Sequence, residues 1–287
     1  MPEGDTLRIL ADKINDRLAG RRVERSVFRD PRLAGRDLAG RVLVDADAYG
    51  KHLFVRFDDR RSLHAHLGMD GTFAVARRST APAWKRRVEL WLDAGSLIGE
   101  SVPTLELLES AHEHVVTDRL GPDLCARAGA PDPVVIADRI RADPDRPLVG
   151  ALLDQHLVAG FGNVYGNDVP FIAGVEPFQP VGTIEGLDRL VALGTALIRT
   201  NARLGRQNTV GRRLGTDATW VHGLGRRPCP VCGVRLHHRS DRETPWRRSI
   251  TWCEECQPAG ATAAADLDRA RRLIALHPAA RDAGFAS

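Results

Sequence analysis

Four cysteines near the end of the chain have the spacing of a metal site. Cys229 and Cys232 enclose two residues, twenty residues follow, and Cys253 and Cys256 enclose two more. Each C-x-x-C can clasp one side of a tetrahedral Zn²⁺, and the length between the pairs suits a β-hairpin. A redox pair and an iron–sulfur site are the alternatives; two matched pairs favour zinc. With four protein ligands the ion has no open position. One structural Zn²⁺ is therefore expected, folding a segment too small for a core of its own. No organic cofactor is expected. A second unusual group lies at the other end, where the chain opens Met1-Pro2-Glu3-Gly4-Asp5. An initiator methionine is normally removed before so small a residue, leaving Pro2 with a free secondary amine. Taken alone, that amine is either a reactive group or simply where the gene starts.

Two further stretches point to nucleic acid. The segment between the cysteine pairs carries Arg239, Arg242, Arg247 and Arg248 with Trp246 and Trp252. Cations interleaved with aromatics suit a duplex backbone and its grooves, or else form a solubilising ribbon. In "LLDQHLVAGFGNVYGNDVPFIAGVEP" one helix runs into Gly160-Phe161-Gly162-Asn163 and a second follows. The glycines permit a tight turn, Asn163 can cap the second helix, and amides at its start favour a phosphate. An ordinary helix–turn–helix corner is the equal alternative.

The elements that must hold these groups follow a changing periodicity. Thr6 can cap a helix to about Leu18, with Leu7, Leu10, Ala11, Ile14 and Leu18 as its apolar stripe. From Arg41 to about Gly99 the pattern alternates in short runs bounded by Gly, Asp and Arg, which predicts an antiparallel β-sandwich or barrel. His64 and His66 fall on one face of such a strand; with no third ligand nearby they are not read as a metal pair. "LGPDLCARAGAPDP" reads as a linker. Helices are expected within "VVIADRI", "PLVGALLDQHL", "NVYGNDVPFIAGV" and "GLDRLVALGTALIRTNARL", and a last amphipathic one in the tail.

Composition limits the function classes. The 287 residues are 43% hydrophobic with a formal net charge of +4, enough for two domains and moderately basic. Asn201–Ile250 holds eleven arginines against Asp217, Asp241 and Glu243, so eleven minus three leaves +8 in that stretch. No apolar run reaches membrane-spanning length and no signal pattern opens the chain, so a cytoplasmic protein without a targeting peptide is expected. Four cysteines in one module and a lone Cys125 are not a disulfide framework; Cys125 reads as core filler.

"MPEG", "YGKHLFVRF", "HLGMDG", "LGPD", "LLDQHLVAGFGNVY" and the four-cysteine finger occur in the order of the formamidopyrimidine-DNA glycosylase/endonuclease VIII family. The resemblance spans about Met1–Gln257, and the "MPEGDT" opening is more similar to the endonuclease VIII branch. It implies an α+β fold: an N-terminal β-sandwich, then a helical helix–two-turns–helix domain with a four-cysteine zinc finger. It also implies excision of oxidised bases from damaged DNA with cutting of the abasic strand. By motif, Pro2 is the nucleophile and Glu3 its acid/base partner. Lys51 assists at the lesion and its phosphate. His66 and Asn163 are phosphate ligands, Arg248 is the finger's DNA-contacting arginine, and Met69 fills the gap left by the flipped base. A core methionine is the alternative for Met69. The sequence departs from the family at Thr6, often glutamate, and at Gly166-Asn167-Asp168, often "ASE". Its finger is longer than usual, and the tail after Gln257 is extra.

The chemistry suits these types. A lysine ammonium, with a pKa near about 10.4, is almost wholly protonated at neutral pH, whereas an α-amine near about 7.7–8.0 leaves roughly a tenth neutral. The iminium a secondary amine forms with the opened sugar has no N–H to lose, so it stays an electron sink for β-elimination and a second elimination. Glu3 can move the protons, and Lys51 supplies charge beside a phosphate. The target base must be flipped out, and the DNA is expected in an interdomain cleft. Oxidised pyrimidines are the expected substrates, with oxidised purines (formamidopyrimidines, 8-oxoguanine) as the alternative. A non-catalytic zinc-ribbon DNA binder and an N-terminal-proline tautomerase are the competing classes, the last needing neither finger nor basic surface. A monomer is expected, with no membrane partner. The domains are expected at 1–118 (catalytic β-sandwich with its leading helix), 119–133 (linker), 134–222 (helix–two-turns–helix), 223–258 (zinc finger) and 259–287 (tail helix). Base-pocket residues are expected partly within 202–217.

Overall fold

The structure, a computed structural model, describes residues 2–78, 80–211, 218–260 and 263–282. Met1 and part of the expected base-pocket segment, 212–217, lie outside the described residues. The chain divides into two compact units, Met1–Arg119 and Leu120–Ser287.

The first unit opens with α1 (Gly4–Leu18), followed by β1 (Val23–Phe28), β2 (Leu43–Tyr49), β3 (His52–Phe57), β4 (Arg61–His66), β5 (Thr72–Ala76), β6 (Arg86–Leu92), β7 (Gly95–Glu100), β8 (Thr104–Glu109) and the short α2 (His114–Thr117). The strands form two four-stranded antiparallel sheets, ordered β1-β6-β7-β5 and β2-β3-β4-β8. Alternation builds the core between them. Leu53, Val55 and Phe57 of β3 and Leu63 and Ala65 of β4 face inward, with Leu90, Leu97 and the α1 stripe Leu7, Ala11, Ile14 and Leu18. His52, Phe54 and Arg56, and Ser62, His64 and His66, therefore share the opposite face. The helix begins earlier than Thr6 suggests. Glu3 is its extended N-cap residue, and Thr6 lies inside the first turn with its hydroxyl on Asp5 Oδ1 at 3.3 Å.

The second unit contains α3 (Pro133–Arg141), α4 (Leu148–Leu153), α5 (Asn163–Ala173), β9 (Ile184–Glu185), α6 (Leu187–Leu204), β10 (His237–Arg239), β11 (Ile250–Trp252), β12 (Ala263–Ala264), α7 (Leu267–Ile274) and α8 (Ala279–Asp282). Its helices share one core that includes Ile136, Leu152, Phe161, Tyr165 and Leu197. The expected linker is partly built into that core. Leu124 and Cys125 are buried, and Leu124 N donates to Ala159 O at 3.1 Å. α4 is shorter than its apolar run, because at Asp154 the backbone turns extended and the side chain accepts from His156 N at 2.9 Å. Among the described residues no helix is long and apolar enough to cross a membrane.

Candidate functional site

In the first unit the candidate side chains sit at the chain start, a strand end and two turn tips. Glu3 is fully buried at the start of α1 and makes no capping bond, so its carboxylate is directed elsewhere than the helix amides. Pro2, beside it, is half-buried. α1 is fastened to β2 by side chains. Asn15 Nδ2 donates to Ala46 O at 2.8 Å, Ala46 N donates to Asn15 Oδ1 at 2.6 Å, and Arg8 reaches Asp47 at 2.5 Å and Ala48 O at 2.7 Å. These contacts fix the helix whose first turn carries Pro2 and Glu3. Tyr49 pairs with His52, leaving Gly50 and Lys51 as a two-residue hairpin loop. Gly50 has φ +54°, the glycine-first arrangement that suits the sheet twist and raises Lys51 on the tip.

The outer face of β3 and β4 carries a polar column. His64, buried, donates from Nδ1 to Glu106 Oε2 at 2.9 Å. That bond leaves its Nε2 as acceptor for His52 Nδ1, also at 2.9 Å. His52 stacks on His64 and tilts against His66, with centroids 5.2 and 4.9 Å away. Burial, reinforced by His66, His64 and Lys51, lowers His52 to about 3. Burial, then Lys51 and His64, also lowers His66. His66 is thus a neutral imidazole whose Nδ1 accepts from Gly68 N at 3.3 Å, which leaves Nε2–H as a donor. Both nitrogens of His64 are engaged. The turn after β4 presents Met69 at 59% exposure, so Met69 is not a core residue. The turn is tight: a Cβ on Gly71 would lie 2.2 Å from Leu67 O.

In the second unit the helix–two-turns–helix motif is held by Gln155. Its Nε2 donates to Phe161 O at 2.9 Å, and its Oε1 accepts from Gly160 N at 3.0 Å, where φ is +117°. Gly162, not Asn163, is the N-cap of α5; Asn163 is its first helical residue. The side chain of Asn163 is therefore available for other partners. Its Nδ2 donates to Ser249 Oγ at 3.4 Å, while Asn167 Nδ2 donates to its carbonyl at 2.7 Å. Thr251 N donates to Asn167 Oδ1 at 2.7 Å and Asn167 Nδ2 to Ser249 O at 3.3 Å, tying the finger hairpin to α5. Arg248 adjoins Ser249, so Asn163 and Arg248, far apart in sequence, are brought together. The turn bearing Arg248 is locked by Thr244, whose hydroxyl accepts from Arg248 N at 3.1 Å and donates to Arg248 O at 2.6 Å.

Asp168, fully buried, accepts from Thr209 Oγ1 at 2.5 Å, Trp220 N at 2.9 Å, and Val221 N and His222 N at 3.0 Å each. One carboxylate thereby pins both described flanks of 212–217. The hairpin's aromatics pack inward more than their pattern suggests. Trp246 lies against Gly150, where a Cβ would stand 2.6 Å from the ring, and Arg239 covers Phe178 at 4.2 Å. These contacts dock the finger on the helical core.

The sulfurs of Cys229, Cys232, Cys253 and Cys256 lie within 4.8 Å of one another. Pairs stand 3.8 Å apart (Cys229–Cys256) and 3.4 Å apart (Cys232–Cys253). A ZnS₄ tetrahedron with bonds of about 2.3 Å has edges of roughly 3.8 Å, so the donor set fits zinc. Burial pushes the Cys256 thiol up to about 11 and raises Cys253 further, so a divalent ion must displace protons to bind. Gln257 braces the knot, accepting from Cys253 N at 3.1 Å and donating to Val175 O at 2.8 Å.

The sequence reading did not find His52, Glu106, Asn167 or Asp168 as supports. Only the Gly166-Asn167-Asp168 departure marked its location. The others are polar residues whose partners lie on different elements.

Residues 1–100 match the family described as formamidopyrimidine-DNA glycosylase N-terminal domain. The chain is 39% identical over 263 residues to a probable endonuclease 8 2 of Streptomyces coelicolor, covering 90% of this chain and 94% of that one. It is 36% identical to the DNA-(apurinic or apyrimidinic site) lyase Nei2 of Mycolicibacterium smegmatis, covering 90% and 100%. The crystal structure of the MutM (Fpg) protein of Thermus thermophilus superimposes with a TM-score of 0.72 at 26% identity, again covering 90% and 100%.

Proposed function

The chain belongs to the formamidopyrimidine-DNA glycosylase/endonuclease VIII family, in its endonuclease VIII-like branch, and from that premise we propose how this DNA glycosylase/AP lyase of base excision repair works. Oxidised pyrimidines in damaged DNA are its substrates and Pro2 is its nucleophile. With Met1 removed, the Pro2 nitrogen attacks the sugar C1′. The C1′–N bond to the base breaks and the base leaves with a proton. Glu3 protonates O4′ as the ring opens, giving a C1′=N⁺ iminium. Loss of a C2′ proton sends its electron pair toward the iminium and expels the 3′ phosphate. Loss of the C4′ proton then expels the 5′ phosphate, and water hydrolyses the iminium to free Pro2. Lys51, on its hairpin tip, stabilises phosphate charge in these steps.

The other groups hold the DNA. Neutral His66 donates from Nε2 to a backbone phosphate. Asn163, at the start of α5, and Arg248 hold phosphates from the second unit. Exposed Met69 enters the stack where the base has left. A structural Zn²⁺ on the four cysteines supplies the fold of the finger. The protein acts as a monomer.

The observation that carries this reading is Glu3, buried and unused as a cap beside an N-terminal proline, on a helix bolted to the sheet. Borohydride trapping on duplexes bearing oxidised pyrimidines, oxidised purines or an abasic site tests it. A covalent adduct through Pro2 and faster excision of the pyrimidines are expected. Binding without an adduct would refute the lyase mechanism, and preferential excision of purines would refute the substrate assignment.

A further inference from the structure

The motifs of the family end at Gln257, yet the chain that follows is built into the second unit. Ala270, Ile274 and Ala279 are fully buried in the core that holds Tyr165 and Ile172 of α5. The segment grips α5 near both ends. At the C-terminal end, Asp266 N donates to Ala173 O at 2.9 Å. Arg269 Nε and Nη2 donate to Phe171 O at 3.3 and 3.2 Å, and its guanidinium lies 5.0 Å over the Phe171 ring. Both carbonyls lie in the last turn of α5, where Phe171 O also accepts from Gly174 N at 3.2 Å, and a cation there complements the helix dipole. Asp266 aims Arg269 by accepting from its backbone N–H at 2.8 Å as the cap of α7.

Near the N-terminal end the grip passes through one histidine. His277, buried, accepts from Ala279 N at Nδ1 (3.0 Å), so Nε2 carries the proton. That N–H donates to Asn208 O at 2.8 Å and approaches Asn201 Oδ1 at 3.3 Å. Asn201 Nδ2 donates in turn to Tyr165 Oη at 2.8 Å, two residues into α5 from Asn163.

We propose that Arg269 and His277 are positioning residues for strand capture, holding α5 so that Asn163 meets a DNA phosphate. The inference rests on the phosphate role given to Asn163 above.

The test uses the full chain with Pro2 exposed and a duplex carrying a tetrahydrofuran abasic-site analogue, which binds but forms no Schiff base. Arg269→Gln combined with His277→Ala should weaken binding about tenfold, and in an Asn163→Ala background the same pair should add less than about twofold. His277→Gln, which keeps a donor near the Nε2 position, should recover most of the loss of His277→Ala. The slope of log affinity against log salt should not change in Arg269→Gln; a slope smaller by about one would make Arg269 itself a phosphate contact and overturn the inference. Additive losses in the Asn163→Ala background, or unchanged affinity in folded, zinc-loaded variants, would also overturn it. If the combined variant loses zinc or its thermal transition, the comparison of His277→Gln with His277→Ala decides: equal losses refute the positioning role. Because the readout is binding, wild-type protein that binds this duplex yet traps no true abasic site sinks the lyase reading and leaves this test intact.

Discussion

The two units position their working groups by different means. In the first, Lys51, His66 and Met69 stand on a hairpin tip, a strand end and the turn after it, placed by β-strand register, while Pro2 stands at the head of a helix fastened to β2 by Arg8 and Asn15. In the second, Asn163 and Arg248 are aligned by buried amide and carboxylate side chains that bond backbone far away in sequence, Asn167 to Thr251 and Asp168 to His222. A sheet aims side chains through a repeating ladder that tolerates local change. A helix start next to a four-cysteine cluster has no such ladder, so single polar residues must supply the alignment. Chemistry should therefore be separable in the first unit, and holding should be fragile in the second.

The largest expected effect lies at the chemical end. A form retaining Met1, or carrying a tag before Pro2, should lose borohydride trapping about a thousandfold or more while binding abasic-analogue duplex within about twofold. A parallel loss of binding would erase the proposed separation. Next is the metal. Cys253→Ser, or removal of zinc by a chelator, should unfold the finger and weaken DNA binding about a hundredfold. Full binding by zinc-free protein, measured by anisotropy alongside metal content, would show that the knot is not needed for holding.

Asp168→Asn sharpens the contrast further. It replaces a buried acceptor of four donors and should cost about 3 kcal/mol in the second unit. Denaturant melts followed by hydrogen exchange should place the loss there; an equal loss in residues 2–119 would contradict it. The last effect, read as a slope against pH, concerns His52. Burial, then His66, His64 and Lys51, hold it near about 3. As pH falls below about 6.5 the unfolded chain takes up a proton that the folded unit refuses. Stability present above that pH is lost toward about pH 3, at about 1.4 kcal/mol per pH unit. Stability measured from pH 6.5 to 4.5 should fall less steeply in His52→Gln; parallel curves would refute the assignment.

The same contrast explains what the sequence could reveal. Strands β2 to β7 are legible because apolar residues alternate in runs between turns. β1 and β8 are not: "VERSVF" is broken by charge and "TLELLE" does not alternate cleanly. The four cysteines are legible because spacing alone marks them, whereas Pro2 is marked as a candidate only by the motifs that follow it along the chain. Helix caps are less legible. Thr6 and Asn163 are good caps by type, yet Glu3 and Gly162 hold those positions because the preceding backbone is extended there. Asp168, Glu106 and His277 are silent because a polar residue's partner on another element leaves no periodic trace. The stretch expected as a linker misleads for the opposite reason: Pro and Gly mark turns, and turns can be packed.

Met69 has one more consequence. The sequence contains only two methionines, and the other is Met1. Protein grown on methyl-¹³C methionine should thus give one sharp methyl resonance when the N-terminus is processed and two when it is not. The same spectrum reads out whether the amine of Pro2 has been uncovered and, on addition of lesion DNA, whether the thioether on the exposed turn moves from water into a base stack.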